Sequence, residues 1–142
     1  MIGLDGTRPD SFEQGVTPTI SRLIDEGYST MEAVTQSTSW TKSGSGWNSV
    51  LSGAEPIKHR AFYNSNNVFR DTDYKSFLWR AKNEYDLKTM AAVNLKIGIL
   101  ETAIEEDATD TFINGRNDNS DDLDSLTVEF LETELLEEDY DV

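Results

Sequence analysis

The sequence of 142 residues contains no cysteine and a single histidine, His59. Structural disulfides, zinc sites with thiolate ligands and cysteine nucleophiles are therefore excluded within these residues. No apolar run approaches the roughly 20 residues that cross a bilayer, so no membrane span is predicted. The first residues also lack the basic and apolar regions of a signal peptide. These absences leave the compartment open.

Basic residues are nearly missing from the last part of the chain. Residues 101–142 hold one of the 12 Lys and Arg residues, Arg116, and 16 of the 27 acids, whereas residues 1–100 are neutral overall. The whole formal net charge of -15 therefore belongs to the last part. An acidic surface repels phosphate backbones and anionic lipids, so binding to a nucleic acid polymer is not expected.

The first half of the sequence predicts strands that alternate with helices. "MIGLDG" is typical of a short apolar strand that ends at Asp5. "TPTISRLIDEG" predicts a helix with Thr17 as N-cap, Pro18 at its first position, Gly27 as its stop and an apolar face of Ile20, Leu23 and Ile24. Residues 30–38 favour a second strand, and "SGSGWNSVLSG" then predicts a helix that begins near Ser43.

The second half continues the alternation. A helix is predicted over roughly residues 73–84, with a stripe of Tyr74, Phe77, Leu78 and Ala81, and "LKTMAAVN" predicts a third strand that ends at Asn94. A short helix around "IGILETAIEE" and a strand in "TDTFING" follow. A helix capped by Ser120 is predicted to run to about Glu138, with Leu123, Phe130, Leu131 and Leu135 along one side. The closing "DYDV" resembles the approach to a further strand.

This order of elements predicts an α/β fold, in which helices cover the faces of a sheet. Neither an internal repeat nor a linker divides residues 1–142, so one domain is expected. In such folds the chemistry lies at the carboxyl ends of the strands. Asp5 and the loop before Ser43 each follow a predicted strand, so both are expected on one rim.

Two residues on that rim are candidates for catalysis or metal binding, although each also has a purely structural interpretation. Asp5 is an acid at a strand mouth, suited to a divalent ion, but Asp-Gly is also a common turn pair. Ser43 stands at a helix N-terminus, where free N–H groups favour an ionised hydroxyl or a bound phosphate. The same Gly- and Ser-rich stretch equally suits a simple turn, and it lacks the spacing of a P-loop.

Two other candidates are weaker. His59 would have to serve any Ser-His-Asp triad, but no Gly-x-Ser-x-Gly elbow occurs, so a structural histidine is the favoured interpretation. Residues 118–129 partly match a calcium-binding loop through Asp118, Ser120, Asp122 and Glu129. Leu123 stands where that loop needs glycine, and a capped acidic helix explains the same residues.

Taken in order, four segments resemble the alkaline phosphatase superfamily, most closely its type I phosphodiesterase/nucleotide pyrophosphatase branch and related sulfatase-like phosphatases. The segments are "IGLDGTRPDSF", "TPTISRLIDEG", "TKSGSGWNSVLSGAEPIKH" and "YN". Ser43 precedes Gly53 by ten residues, "PIKH" follows, and Asn64 stands 21 residues beyond Ser43. The resemblance covers roughly residues 1–100 well. It implies an α/β/α sandwich with a mostly parallel sheet.

The resemblance also implies roles for single residues. Asp5 matches the first aspartate that binds metal, and Ser43 matches the nucleophile that becomes phosphorylated. Asn64, with the backbone N–H of Gly44, matches the group that holds a phosphate oxygen, and His59 matches a structural position. The implied activity is hydrolysis of a small phosphate ester, which could be a nucleotide, with two divalent ions, most simply Zn²⁺. Sulfatases proper use a Cys/Ser-x-Pro-x-Arg motif, from which "SGSGW" departs.

The departures from the family pattern define the alternatives. The family's Asp-x-x-Gly-His segment and later Asp-His pair do not occur, so most metal ligands would lie outside this chain. The chain is then expected to be the truncated N-terminal part of a hydrolase domain, inactive by itself. A noncatalytic protein on the same scaffold is one alternative, and an acidic calcium-binding module is another. Relatives of this kind are often exported, but neither the compartment nor the oligomeric state follows from these residues.

Overall fold

The computed structural model describes residues 1–13, 17–34, 41–64, 73–94, 104, 107–113 and 120–142. The chain divides into two compact units, Met1–Ser37 and Thr38–Val142. None of the helices in the described ranges combines the length and the apolar character that a bilayer crossing requires.

The described elements mix helices with a small parallel sheet, which agrees with a truncated α/β fold. The helices are α1 (Asp10–Glu13), α2 (Pro18–Glu26), α3 (Ser43–Ser52), α4 (Pro56–His59), α5 (Phe77–Tyr85) and α6 (Ser120–Glu137). The strands are β1 (Met90–Val93) and β2 (Asp110–Ile113).

In the first unit the predicted helix is confirmed, but the predicted strand is wrong. Helix α2 begins at Pro18, because the fixed φ of proline suits a first helical position, and it ends just before Gly27. Residues 1–4 form no strand, and the side chain of Ile2 is 93% exposed. A strand is stable only where a neighbour takes up its backbone hydrogen bonds, and no sheet is present in the described residues of this unit.

Further predictions for this region have mixed outcomes. Residues 30–34 are not a strand either, and the rest of that predicted strand lies outside the described residues. The apolar face of α2 is only partly covered, because Ile20 and Ile24 are half-buried and Leu23 is 58% exposed. The hydroxyl of Thr17, the predicted N-cap, makes no capping hydrogen bond.

In the second unit, α3 begins at Ser43 and ends before Gly53, as predicted. Gly53 adopts φ +66, the left-handed conformation that glycine enters without a steric penalty. Helix α5 begins later than predicted, at Phe77, because the hydroxyl of Ser76 accepts a hydrogen bond from the Trp79 N–H and caps the helix. Tyr74 therefore lies before the helix, not in its buried stripe.

The sheet forms where it was predicted. Strands β1 and β2 pair in parallel, with Met90 opposite Asp110 and Val93 opposite Ile113. Two threonines set this register just before the strands. The hydroxyl of the fully buried Thr89 accepts from the Thr109 N–H at 3.0 Å, and the Thr109 hydroxyl accepts from the Thr89 N–H at 3.1 Å. A shift by one residue would break both hydrogen bonds and turn every side chain to the other face.

The last residues extend the sheet on the other edge of β1. Val142 donates its N–H to the Lys88 carbonyl and accepts from the Met90 N–H, at 3.3 and 2.9 Å. Bonds to residues on either side of Thr89 are the pattern of a parallel pair. Residues 139–142 are not a strand of the described sheet, so the prediction that "DYDV" approaches a further strand stays a prediction, which these two bonds favour.

The acidic C-terminal region forms one long helix, α6, which begins at Ser120. It packs on the sheet through Phe130, whose ring stacks on Phe112 with the centroids 4.6 Å apart. The predicted acidic helix is confirmed, but its predicted cap by Ser120 stays a prediction, and Asp118 of the partial calcium-loop match lies outside the described residues. Leu135 was expected on the covered side, but it is 60% exposed.

A small apolar core joins the helices to the sheet. Its fully buried members are Leu51, Leu78, Ile104 and Ala108. Trp47 and Phe77 pack against this cluster from the helices, and Ala91 and Val93 pack against it from β1. The core thus fixes α3, and with it Ser43, to the sheet. Most of the predicted short helix around residues 97–106 lies outside the described residues.

Arg60 offers a test of backbone strain in this fold. It ends α4 at φ +60, where a side chain costs about 1–2 kcal/mol, whereas glycine loses only about 0.5–1 kcal/mol more entropy on folding. We expect Arg60→Gly to raise the free energy of unfolding by roughly 0.5–1 kcal/mol in denaturant titrations.

The matched control is Asp86→Gly, at φ +54 on the end of α5. Aspartate tolerates the left-handed region better than arginine does, so the gain should be smaller. A loss of stability in Arg60→Gly would contradict the assignment of strain.

Candidate functional site

Ser43 is the first residue of α3, and its side chain is half-buried. Lys42 precedes it in an extended conformation, so the chain enters the helix without a side-chain cap. The first N–H groups of a helix have no partner within the helix, and the helix dipole adds partial positive charge there. Ser43 therefore lies where a negatively charged group is favoured.

The next residue, Gly44, is bound to Asn64. The Gly44 N–H donates to the Asn64 side-chain Oδ1 at 2.8 Å, across 20 positions of sequence. This bond fixes the orientation of the amide, because an N–H can only donate to its oxygen. The Nδ2 group of Asn64 then points its two donors elsewhere. The structure thus brings together three of the four predicted site residues, Ser43, Gly44 and Asn64. It departs from the predicted role of Gly44, because the N–H expected to hold a phosphate oxygen donates to Asn64 instead.

Gly44 is buried, and the chain passes so close to it that no side chain would fit. A Cβ at this position would lie 2.6 Å from the Tyr63 carbonyl oxygen and 2.9 Å from the Asn64 Oδ1. Real Cβ atoms do not approach oxygens this closely. Glycine is therefore required here for close approach, since its φ is not in the left-handed region.

Two further side chains hold this junction. The Asn48 amide donates to the Gly44 carbonyl at 2.8 Å, one helical turn along α3. The Lys42 ammonium lies over the Tyr63 ring, 4.4 Å from its centroid, an attractive contact between a cation and an aromatic face. Lys42 thus links the residue before α3 to Tyr63. The helix dipole favours an anion at Ser43.

His59 is a structural residue, as the sequence suggested. It is 4% exposed; its Nδ1 accepts from the Ala61 N–H at 3.0 Å, and its Nε2 lies 2.9 Å from the Ser49 hydroxyl. Because Nδ1 is an acceptor, the proton is on Nε2, which donates to Ser49. Burial lowers the pKa of His59 and so favours this neutral form. A backbone hydrogen bond of His59 raises the pKa and partly offsets the effect of burial.

Asp5 lies in the first unit, within an exposed turn. Gly6 follows it at φ +72, so the expected turn at Asp-Gly is present. The prediction that Asp5 and the Ser43 loop share one rim of the sheet stays a prediction.

The described residues do not by themselves fit a two-metal centre. Within the described ranges, no group of three His, Cys, Asp or Glu residues is placed to hold an ion. The single histidine of the sequence uses both ring nitrogens in hydrogen bonds to Ser49 and Ala61. Asp5 remains the one residue to which the sequence assigned a metal.

Sequence reasoning missed Asn48 and the link between Lys42 and Tyr63. Asn48 had a local signal, because it stands four residues after Gly44 on one helix face and can reach its carbonyl. The contact of Lys42 with Tyr63 had none, because only the folded chain brings residues 21 positions apart together.

A comparison with known families identifies the family of this chain. Residues 1–106, about three quarters of the chain, match the model of the family described as type I phosphodiesterase / nucleotide pyrophosphatase. The match spans Asp5, Ser43, Gly44 and Asn64 and extends over both units. Searches of curated proteins and of solved structures give no match. The chain therefore belongs to the type I phosphodiesterase/nucleotide pyrophosphatase family.

Gly44→Ala tests the close approach at the site. The added methyl group meets backbone atoms that cannot move without displacing residues 63 and 64. We expect the free energy of unfolding to fall by about 1–3 kcal/mol, the usual cost of overpacking, in denaturant titrations.

Gly46→Ala in the same helix is the matched control. Nothing lies within 4 Å of a Cβ there, and alanine is the better helix former, so a gain of about 0.5–1 kcal/mol is expected. Equal effects of the two substitutions would argue against the contact between Gly44 and residues 63 and 64.

His59 gives a prediction about pH. Its pKa is lower in the folded chain than the ordinary value of about 6.5, so below that pH the unfolded chain binds more protons. The free energy of unfolding should therefore fall as the pH is lowered through about 6.5. In His59→Gln this component should be absent from denaturant titrations at a series of pH values. Identical pH profiles for the two proteins would contradict the assignment.

Proposed function

We propose that this protein, as a member of that family, hydrolyses a small phosphate ester, with Ser43 as the nucleophile that is transiently phosphorylated. The observation that carries the proposal is the hydrogen bond between the Gly44 N–H and the Asn64 side chain. It holds an amide group beside the first turn of α3, next to a hydroxyl at the helix N-terminus. The proposed nucleophile and the proposed phosphate-binding donor are attached to neighbouring residues, Ser43 and Gly44.

Ser43 is favoured as nucleophile by its electrostatic surroundings. A serine hydroxyl attacks poorly unless its ionised form is stabilised. The N-terminus of α3 favours negative charge at this point. In the proposed attack, the Ser43 Oγ forms a bond to phosphorus while the bond from phosphorus to the leaving oxygen breaks, and water later releases the phosphate.

Asn64 is proposed to hold a nonbridging phosphate oxygen through its Nδ2 group. Its Oδ1 accepts from the Gly44 N–H, so the amide is oriented before any substrate binds. Preorganised donors of this kind stabilise the charge that develops in the transition state. In this proposal Gly44 contributes in two ways: its N–H fixes Asn64, and its missing side chain lets residues 63 and 64 approach.

The reaction is further proposed to require two divalent ions, with Zn²⁺ as the first candidate and Asp5 as one ligand. Because the described residues do not complete such a centre, the other ligands would come from residues outside this chain. We accordingly propose that residues 1–142 are the N-terminal part of one catalytic domain, inactive without the remaining ligands. The substrate is a small phosphate ester, and a nucleotide is one member of that class.

The test uses the polypeptide that the whole gene encodes, with a chromogenic phosphodiester and Zn²⁺. We expect hydrolysis that EDTA removes and added Zn²⁺ restores. Ser43→Ala should lower the rate more than about a thousandfold, because loss of a nucleophile removes the covalent step.

Ser52→Ala is the control, at the far end of the same helix, and it should retain activity. Full activity in Ser43→Ala would refute the role of Ser43. A gene product that shows no hydrolysis at all would instead favour a noncatalytic protein on the same scaffold.

A further inference from the structure

The segment from Ala61 to Asn64 is attached to α3 at both ends. At one end, the Asn64 side chain accepts from the Gly44 N–H at 2.8 Å. At the other end, the Ala61 N–H donates to His59, whose ring lies 2.9 Å from the Ser49 hydroxyl on α3. The two attachment points, Gly44 and Ser49, lie on the same helix. The segment is therefore a short bridge along α3, and His59 connects one of its ends.

From these contacts we infer that His59 is a positioning residue, which holds Asn64 against the N-terminus of α3. The inference rests on the proposed function for its significance, because Asn64 is the proposed phosphate donor. The link has to reach from the Ser49 hydroxyl on α3 to the Ala61 N–H after α4. The imidazole does so because its two nitrogens lie on opposite sides of one rigid, buried ring.

The backbone between the two ends leaves little freedom. Arg60 turns the chain in the left-handed conformation, at φ +60, and Ala61 is 3% exposed. Only two residues then separate Ala61 from Asn64. A change in the direction of the chain at Ala61 is therefore passed directly to the Asn64 side chain, and a donor displaced by about 1 Å can cost roughly a hundredfold in rate.

Exchange of the Gly44 amide hydrogen measures this positioning without any need for activity. In His59→Ala the bond from Gly44 to Asn64 should open more often, so exchange at Gly44 should be about five- to tenfold faster, the effect of losing one net hydrogen bond. Gly46 is the internal control, because its N–H bonds to the Lys42 carbonyl at 2.9 Å within the same turn. Its exchange rate should not change.

Two other variants separate positioning from a general loss of structure. His59→Asn keeps an acceptor, Oδ1, close to the position of the Nδ1 atom, and should restore much of the protection at Gly44. Ser49→Ala removes only the partner on α3 and should speed exchange at Gly44 less than His59→Ala does. If His59→Ala does not fold, Ser49→Ala still tests the inference, since unchanged exchange at Gly44 in that variant would overturn it.

Kinetics of the whole gene product give the second measurement. His59→Ala should lower kcat for the chromogenic phosphodiester by about ten- to a hundredfold, with a smaller change in KM, because the Asn64 donor acts mainly in the transition state. Equal acceleration of exchange at Gly44 and Gly46, or an unchanged kcat, would overturn the inference. If the parent protein hydrolyses nothing, the proposed function fails, and the exchange data alone decide the role of His59.

Discussion

The close approach of residues 63 and 64 to Gly44 is the constraint on which the candidate site depends. Because a Cβ at Gly44 would lie 2.6 Å from the Tyr63 carbonyl oxygen, only glycine lets the two segments meet. The same approach brings the Asn64 amide to the Gly44 N–H and the Tyr63 ring under the Lys42 ammonium. Two separate interactions thus depend on one missing side chain.

This arrangement has a cost in local stability that the surrounding contacts offset. Gly44 and Gly46 weaken the first turn of α3, because glycine is a poor helix former. Asn48 compensates by binding the Gly44 carbonyl, and Asn64 binds its N–H. Leu51 anchors the other end of the helix in the core. The candidate nucleophile is therefore held by side chains from outside its own turn, which suits a site that must keep its geometry when an anion binds.

The acidic C-terminal region contributes to the structure through its contacts with the sheet. Its last residues bind at the amino ends of the strands. There the Lys88 ammonium binds Glu138 at 2.6 Å and lies 4.6 Å from the centroid of the Tyr140 ring. The Tyr140 hydroxyl lies 3.1 Å from a carboxylate oxygen of Asp110 and 3.1 Å from one of Glu134, and the two share its single proton; partial burial together with these bonds raises its pKa. The bonds lie at the amino ends of the strands, opposite the rim where an α/β fold places its chemistry. The acidic helix also reaches the other end of the sheet, because Asp124 accepts a hydrogen bond from Asn94, just after the carboxyl end of β1.

The sequence by itself determined the local structure and the family. Thr-Pro and glycine signals located α2 and α3, and β-branched and apolar runs located β1 and β2, because helix ends and strand patterns depend on neighbours in the chain. The spacing of Ser43, Gly53 and Asn64 identified the family, because spacing is a property of the chain alone. Only the tertiary structure decided the rest. Met1–Leu4 has strand composition but no strand beside it in the described part of its unit. Helix α5 begins at Phe77, later than predicted, behind the cap Ser76, whose hydroxyl is held by Asp107, 31 residues away. The contacts of Gly44 with Asn64 and of His59 with Ser49 likewise join distant segments, and hydrogen-bond geometry of this kind exists only once the chain has folded.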